Sequence, residues 1–248
     1  MAQQSQEYIG GFHAVTAAVQ QGQAVTAIWL AAQRRDERSR ALLALAQERR
    51  ISVHEADMTA LDAMLPQVRH QGCVAELGLV QAYRESQLPQ LLAAADAPWV
   101  LALDQVQDPH NLGACLRSAA AAGVTAVIAP RKRAAGITAT VRKVAVGATE
   151  RVPFVPVTNL TRALQRLQKD GFWAIGLAGE VDTRLYDVDL RGRLVLVLGG
   201  EARGLRERTR TACDVLASIP MHNDMESLNV SVAAGVALFE ALRQRLSN

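Results

Sequence analysis

Three cysteines, Cys73, Cys115 and Cys213, are scattered through 248 residues, odd in number and without C-x-x-C spacing. That pattern argues against a disulfide framework and against a zinc site. Five histidines show no ligand-like spacing either, so no metal is expected. No apolar run approaches the roughly 20 residues that a membrane helix needs. The opening Met-Ala-Gln-Gln-Ser-Gln-Glu has neither the basic nor the apolar region of a signal peptide. The expectation is a cytoplasmic protein with no membrane partner. A glycine-rich dinucleotide turn is also missing. Neither the turn after Trp99–Leu103 nor Gly199-Gly200-Glu201-Ala202-Arg203-Gly204 spells G-x-G-x-x-G. A nucleotide-dependent metabolic enzyme is disfavoured accordingly.

Charge of one sign is scarce as well. Lys and Arg total 27 against 24 Asp and Glu, a net charge of +3. Residues 1–80 hold 7 basic and 8 acidic residues, a net of −1, and the remainder hold 20 and 16, a net of +4. Basic side chains cluster at Arg131-Lys132-Arg133, at Arg142-Lys143 and at Arg203, Arg206, Arg208 and Arg210. Such clusters usually lie on solvated faces, and phosphate binding is the functional alternative.

What is present is ample apolar material, 50% of the chain, in an alternation of strand-like and helix-like segments. Residues 1–80 read as a small α/β unit. Its helices are expected at about Phe12–Gln20, Asp36–Arg50 and after Asp57, and its strands at Ala24–Leu30, Ile51–Glu55 and Cys73–Val80. This alternation implies a mostly parallel sheet. Nothing in the unit looks catalytic, with His54 and His70 scattered and Trp29 assigned to the core. Residues 81–98 are polar at first, contain Pro89 and Pro98 and read as a linker, although Leu88–Ala95 could form a helical turn or two. Residues 99–248 form an α/β domain, with strands expected at 99–103, 124–129, 172–177, 194–198 and 215–219. Helices are expected at 112–122, 138–148 and 159–169.

Asp104 to Ser118 reads Asp-Gln-Val-Gln-Asp-Pro-His-Asn-Leu-Gly-Ala-Cys-Leu-Arg-Ser. It follows a buried strand, and Asp108-Pro109 breaks that strand. Asn111 stands where a helix N-cap belongs. Arg117, three and four residues beyond Ala114 and Gly113, would lean back over two small side chains toward the mouth of the loop. The bland alternative is an ordinary strand-to-helix turn with a surface arginine. His110 reads as a loop residue and Cys115 as packing.

Two later loops have the same character. Gly199-Gly200-Glu201-Ala202-Arg203-Gly204 follows the apolar strand Leu194–Leu198, and its glycines allow left-handed backbone and close approach. Ile219-Pro220-Met221 leads through a polar loop to Ser227-Leu228-Asn229-Val230-Ser231, which opens the final helix. Val232, Val236, Phe239 and Leu242 are that helix's apolar stripe. Capping is the plain reading of Ser227 and Asn229.

Taken together, Asp-Pro-His-Asn-Leu-Gly-Ala-Cys-Leu-Arg-Ser, Leu-Gly-Gly-Glu-Ala-Arg-Gly-Leu and Ser-Leu-Asn-Val-Ser-Val-Ala resemble motifs 1, 2 and 3 of the SpoU (SPOUT) RNA 2′-O-ribose methyltransferases. The resemblance runs along essentially the whole chain. It is nearest to the group that modifies a guanosine in the peptidyl-transferase region of bacterial 23S rRNA. Gln105, where many relatives have glycine, and Ala202-Arg203 in motif 2 depart from the pattern beside the key positions.

The resemblance implies a trefoil-knotted, mostly parallel C-terminal domain that dimerises and uses S-adenosyl-L-methionine. It implies a ribosomal-protein-like RNA-binding domain ahead of it and large-subunit rRNA as partner. It assigns catalysis to Arg117, Asn111, Glu201, Asn229 and Ser227. Cofactor binding falls to loops at 177–180, 199–204 and 219–228, with Leu177, Ala178, Gly179, Gly199, Gly200, Gly204, Ile219, Met221 and Leu228 as contacts. A tRNA substrate, or an idle RNA-binding assembly factor, are the alternatives carried forward.

Overall fold

A computed structural model of the chain describes residues 7–32, 36–78, 83–132, 134–200, 204–222 and 227–247. The chain divides into two compact units, Met1–Gln81 and Ala82–Asn248.

The first unit runs β1 (Glu7–Gly10), α1 (Phe12–Gln20), β2 (Val25–Ala31), α2 (Glu37–Glu48), β3 (Ser52–Ala56), α3 (Met58–Met64) and β4 (Cys73–Leu77). Asp36 and Asp57 cap α2 and α3 by accepting from Ser39 N and Ala60 N, so each helix starts where a short carboxylate can hold an unpaired amide. The sheet order is β1-β4-β2-β3. β2 and β3 are parallel, but β4 is antiparallel to both β1 and β2. The expected mostly parallel sheet is therefore corrected to a mixed one. Phe12, Val15, Ile28, Leu30 and Leu42 make the core on one side of the sheet. Trp29, expected in that core, is half-buried. Its ring meets Tyr8 edge-on at 6.0 Å and stacks on His54 at 5.5 Å. His70 is buried and structural: Nε2 lies 2.8 Å from Asp62 Oδ1, and Nδ1 accepts from Gly72 N.

The second unit opens with α4 (Leu88–Ala93). Leu88 and Leu92 are buried against Val100, Ala126 and Leu164. From residue 83 onward the segment read as a linker is thus largely part of this unit, because two leucines four apart put an apolar edge on one helical turn. Then follow β5 (Trp99–Asp104), α5 (Pro109–Ala122), β6 (Ala126–Pro130), α6 (Ala139–Ala145), β7 (Phe154–Val157), α7 (Leu160–Lys169) and β8 (Trp173–Leu177). The chain ends through β9 (Leu194–Gly199), α8 (Glu207–Thr211), β10 (Val215–Ala217) and α9 (Val230–Leu246).

The sheet order is β10-β8-β9-β5-β6-β7, with every neighbouring pair parallel. Alternate residues of β5 serve opposite faces. Trp99, Leu101 and Leu103 join the core made with α5, α6 and α9, whereas Val100 and Ala102 join the core with α4 and α7. Being covered on both faces is why β5 and β9 read as unbroken apolar runs. Because the strands are parallel, the segments after β10, β8, β9 and β5 all leave the same edge, next to the β5–β9 pair. Strand numbering reverses direction at that pair, which is where open α/β sheets bind ligands.

Candidate active site

The site grows from the end of β5. The register pairs Asp104 with Gly199, so the exits of β5 and β9 lie side by side. Helix α5 then starts three residues earlier than the sequence suggested. Asp108, not Asn111, is the N-cap, accepting from His110 N at 3.0 Å, and Pro109 occupies the first turn. Proline suits that position because its missing N–H would have no helical partner there. Asn111 is consequently inside the helix and only 8% exposed.

Its side chain faces α9. Asn229 Nδ2 donates to Asn111 Oδ1 at 3.1 Å, across 118 residues of sequence. Asn229 is also the N-cap of α9, its Oδ1 accepting from Ser231 N at 2.9 Å and from Ser231 Oγ at 2.6 Å. One amide thus starts the last helix and ties it to the first motif. Ser227 lies outside the helix and is exposed. It makes no hydrogen bond among the described residues, so it is not a cap.

Arg117 stands on α5 six residues after Asn111, exposed, with no hydrogen-bond or ion-pair partner among the described residues. One turn earlier, the helix is closely packed at Gly113. A Cβ there would be 2.7 Å from Val144 Cβ and 2.9 Å from Val141 O, so α6 already fills the space. Glu201, Ala202 and Arg203 fall outside the described residues, as do 223–226 of the loop before Ser227. Cys115 is fully buried, and burial pushes its thiol up from 9.0 to about 12, in keeping with packing.

At its described ends, the glycine loop after β9 is marked by close backbone approach. A Cβ on Gly199 would sit 1.9 Å from Gly204 C, and one on Gly200 would be 2.5 Å from Gln105 O. Of these glycines only Gly204 adopts positive φ, at 59°. Gln105 takes the same left-handed region at φ 63°, which gives a steric reason for glycine at that position. Gly200 N donates to Asp104 O at 2.8 Å and Gly204 N to Gly200 O at 2.9 Å.

The sequence reading overlooked one element of the site. Asp104 is completely buried, and its carboxylate receives Arg206 Nη2 at 2.6 Å, Nε at 2.7 Å and N at 3.1 Å. Arg210 pairs with Glu180, whose carboxyl is held below its usual range first by its own backbone N–H and then by Arg210. Of the described arginines in the series at 203–210, Arg206 and Arg210 are therefore ion-paired within the unit. Only Arg208 is exposed among its described members. Arg142 is also buried, at 7% exposure, which removes it as a phosphate contact and leaves Lys143, Arg131 and Lys132 exposed.

Leu177, Ala178 and Ile219 are half-buried at the ends of β8 and β10, and Leu228 is half-buried before Asn229. Gly179 and Met221 are more exposed. Ala178 N donates to Ala217 O at 3.0 Å. The N–H groups of Ala178, Gly200 and Gly204 are engaged internally, so those three can offer a ligand carbonyl oxygens but no amide donor. An edge of small and apolar residues with no basic side chain among them fits S-adenosylmethionine, with its adenine ring and cationic centre, better than a polyphosphate.

Two family models match the chain. Residues 98–239 match the SpoU rRNA Methylase family, and residues 8–82 match the RNA 2′-O ribose methyltransferase substrate binding family. The chain belongs to the SpoU rRNA methylase family. Among its relatives, the 23S rRNA (guanosine-2′-O-)-methyltransferase RlmB of Xanthomonas axonopodis pv. citri is 51% identical, over 99% of both chains. The protein of the same name from Pseudomonas putida is 50% identical, over 96% of this chain and 97% of its own. Among solved structures, the SpoU methyltransferase AviRb from Streptomyces viridochromogenes, in complex with AdoMet, superimposes with a TM-score of 0.74 at 24% identity. That match covers 98% of this chain and 92% of AviRb.

Proposed function

We propose that this protein transfers a methyl group from S-adenosylmethionine to the 2′-hydroxyl of a guanosine ribose in bacterial 23S rRNA. Relatives of that activity at about half identity along the whole chain support the substrate. The observation that carries the site is the Asn229–Asn111 bond, which joins motif 1 to motif 3 beside the β5–β9 exits. When bound, S-adenosylmethionine supplies an activated methyl group on a sulfonium. The residues that would hold it are Leu177, Ala178, Gly179, Gly199, Gly200, Gly204, Ile219, Met221 and Leu228.

The chain's own contribution is alignment and charge. Holding reacting groups in line can supply several kcal/mol, up to about 7–11 in well-organised systems. Arg117 is exposed and has no partner among the described residues, and an arginine is a poor proton acceptor because it keeps its charge in proteins. We assign it to stabilising the alkoxide that develops at the 2′-oxygen, or to clamping the adjacent phosphate. Asn111 is too enclosed to reach far toward RNA, and its part is to hold Asn229. Ser227 is free to meet the ribose. Glu201 completes the set from the glycine loop. Exposed Arg131, Lys132 and Lys143 supply phosphate contacts.

The reading includes a homodimer formed through the second unit, a trefoil knot in its last third and a cytoplasmic location, where rRNA is made. Support for the dimer comes from α9. Its buried face is Val230, Ala234, Ala237, Leu238 and Ala241. The stripe assigned to the core from sequence is only partly there. Val236 and Leu242 pack against the core, but Val232 is 51% and Phe239 50% exposed. Two bulky apolar side chains seven residues apart on one helix face suit a second copy.

The test is incubation with labelled S-adenosylmethionine and rRNA lacking the modification, mapping the product by its block to alkaline cleavage. One mark on large-subunit rRNA, lost in Arg117→Ala while cofactor binding persists, is the expected result. Transfer to tRNA alone would discard the substrate, and RNA binding without transfer would discard the enzyme.

A further inference from the structure

We propose that Asp104 is a positioning residue that holds both ends of the Gly199–Gly204 loop and registers it against the strand leading to Arg117. The inference rests on reading that loop as part of the S-adenosylmethionine site.

The loop's entrance is fixed by the main chain of Asp104, whose carbonyl accepts from Gly200 N at 2.8 Å. The exit is fixed by its side chain. Both carboxylate oxygens are used, one by Arg206 N at 3.1 Å and the other by Arg206 Nε at 2.7 Å and Nη2 at 2.6 Å. Between these anchors Gly200 and Gly204 are joined by an antiparallel bridge. It also presses on the peptide after Asp104, where a Cβ at Gly200 would meet Gln105 O at 2.5 Å. The left-handed turn at Gln105 lies where that carbonyl meets the loop. A single residue at the end of β5 therefore sets where the loop begins, where it ends and how near it lies to the motif 1 backbone.

Stability is a poor reason for this arrangement. The carboxylate is fully buried at the end of an otherwise apolar strand, while Arg206 is 39% exposed. Replacing a buried ion pair by apolar residues of like volume is often neutral or stabilising, and the best-attested use of such pairs is registry. The fork of a guanidinium on a carboxylate fixes direction as well as distance, which lysine cannot reproduce. A loop that must meet a ligand at a fixed place needs that constraint, because its glycines leave the free backbone many alternatives.

The test compares Asp104→Asn, Arg206→Gln and Arg206→Lys in the full chain. S-adenosylmethionine and S-adenosylhomocysteine are titrated calorimetrically, with thermal melts and rRNA affinity measured on the same samples. Loss of the charged bonds should raise the Kd of both ligands about tenfold or more in Asp104→Asn and Arg206→Gln. Arg206→Lys should fall between these and the wild type. The KM for S-adenosylmethionine should rise in parallel, with kcat at saturation kept within about threefold, the pattern of lost ground-state binding. A pair that served only stability would lower the melt and leave the ligand affinity of the folded protein unchanged. Folded variants that bind both ligands within about twofold of wild type, or a fall in kcat with unchanged Kd, overturn the proposal. Should Asp104→Asn fail to fold, Arg206→Gln, altered at the partly exposed partner, decides the matter alone. If the wild type binds neither ligand, the cofactor reading itself falls, and the control identifies that failure separately.

Discussion

Asn229 does two separable things, and two substitutions pull them apart. Its Oδ1 caps α9, while its Nδ2 donates to Asn111. Losing an N-cap costs about 0.5–2 kcal/mol, and a net hydrogen bond is worth about 0.5–1.5 kcal/mol. Asn229→Ala forfeits both, so about 2 kcal/mol is expected from the middle of those ranges. In a chain of this size each kcal/mol shifts the melting temperature by about 2–4 °C, giving a fall of about 4–8 °C. Asn229→Asp keeps the capping oxygen and adds a negative charge at the N-terminus of a 17-residue helix, where the helix dipole favours it by about 0.3–1 kcal/mol. It should melt close to the wild type, yet it can no longer donate to Asn111.

The assays are a circular dichroism melt and methyl incorporation into unmodified rRNA. The alanine variant should lose stability and turnover together, and the aspartate variant should lose turnover alone. Full turnover in Asn229→Asp would refute the claim that the link between the two motifs matters. A wild-type melt in Asn229→Ala would refute the cap. A cycle with Asn111→Ala adds a third check, since residues in contact couple by about 0.5 kcal/mol or more. Additive effects would mean that the bond contributes nothing.

Gly199→Ala should abolish calorimetric binding of S-adenosylmethionine or prevent folding, because the new Cβ would meet the Gly204 backbone at 1.9 Å, and backbone cannot yield; near-normal affinity would contradict the loop geometry. Phe239→Glu on the exposed stripe of α9 should convert a dimer to a monomer by light scattering, and an undiminished dimer would move the interface elsewhere. Burial pushes the Cys115 thiol to about 12, and burial, followed by the Asp214 and Asp104 carboxylates, does the same to Cys213. A thiol raised in the folded state lends stability that is full below its unfolded value of 9.0 and is lost as pH climbs toward 12. The melting temperature should therefore hold up to about pH 9 and fall above it, and a rise there would contradict the burial.

Several elements were legible because local chemistry decides them. The apolar runs of β5 and β9 have no helical period and no length for a helix. The start of α7 at Asn159 and its buried set Leu160, Ala163, Leu164 and Leu167 follow from spacing alone. Other elements were not, because their signal lies in neighbours. β7 reads Phe-Val-Pro-Val, and its proline speaks against a strand until the sheet order places it at an edge, where a missing donor is tolerated. The first strand is four residues long and ends on the first glycine of the Gly10-Gly11 pair, which looks like a turn. On α9 two apolar faces compete, one of alanines and one of larger side chains. Hydrophobicity favours the larger, but close packing on α5 selects the smaller, since Gly235 leaves room for Ser118 there.

The site divides along the same line. Each motif is a local word, yet what makes them a site is the order β8-β9-β5, which no window of sequence contains. Asp104 and Arg206 are 102 residues apart, and without the β5–β9 register nothing distinguishes Arg206 from the exposed Arg208 two positions on. A run of arginines is therefore ambiguous between an RNA-facing patch and a set of internal staples. The exposure of each guanidinium and the place of each carboxylate decide between them, and here they divide the run residue by residue. By the same criterion Arg117 groups with Arg208, a charged fork with no carboxylate among the described residues to hold it, and that is the observation behind the substrate-facing role proposed for it.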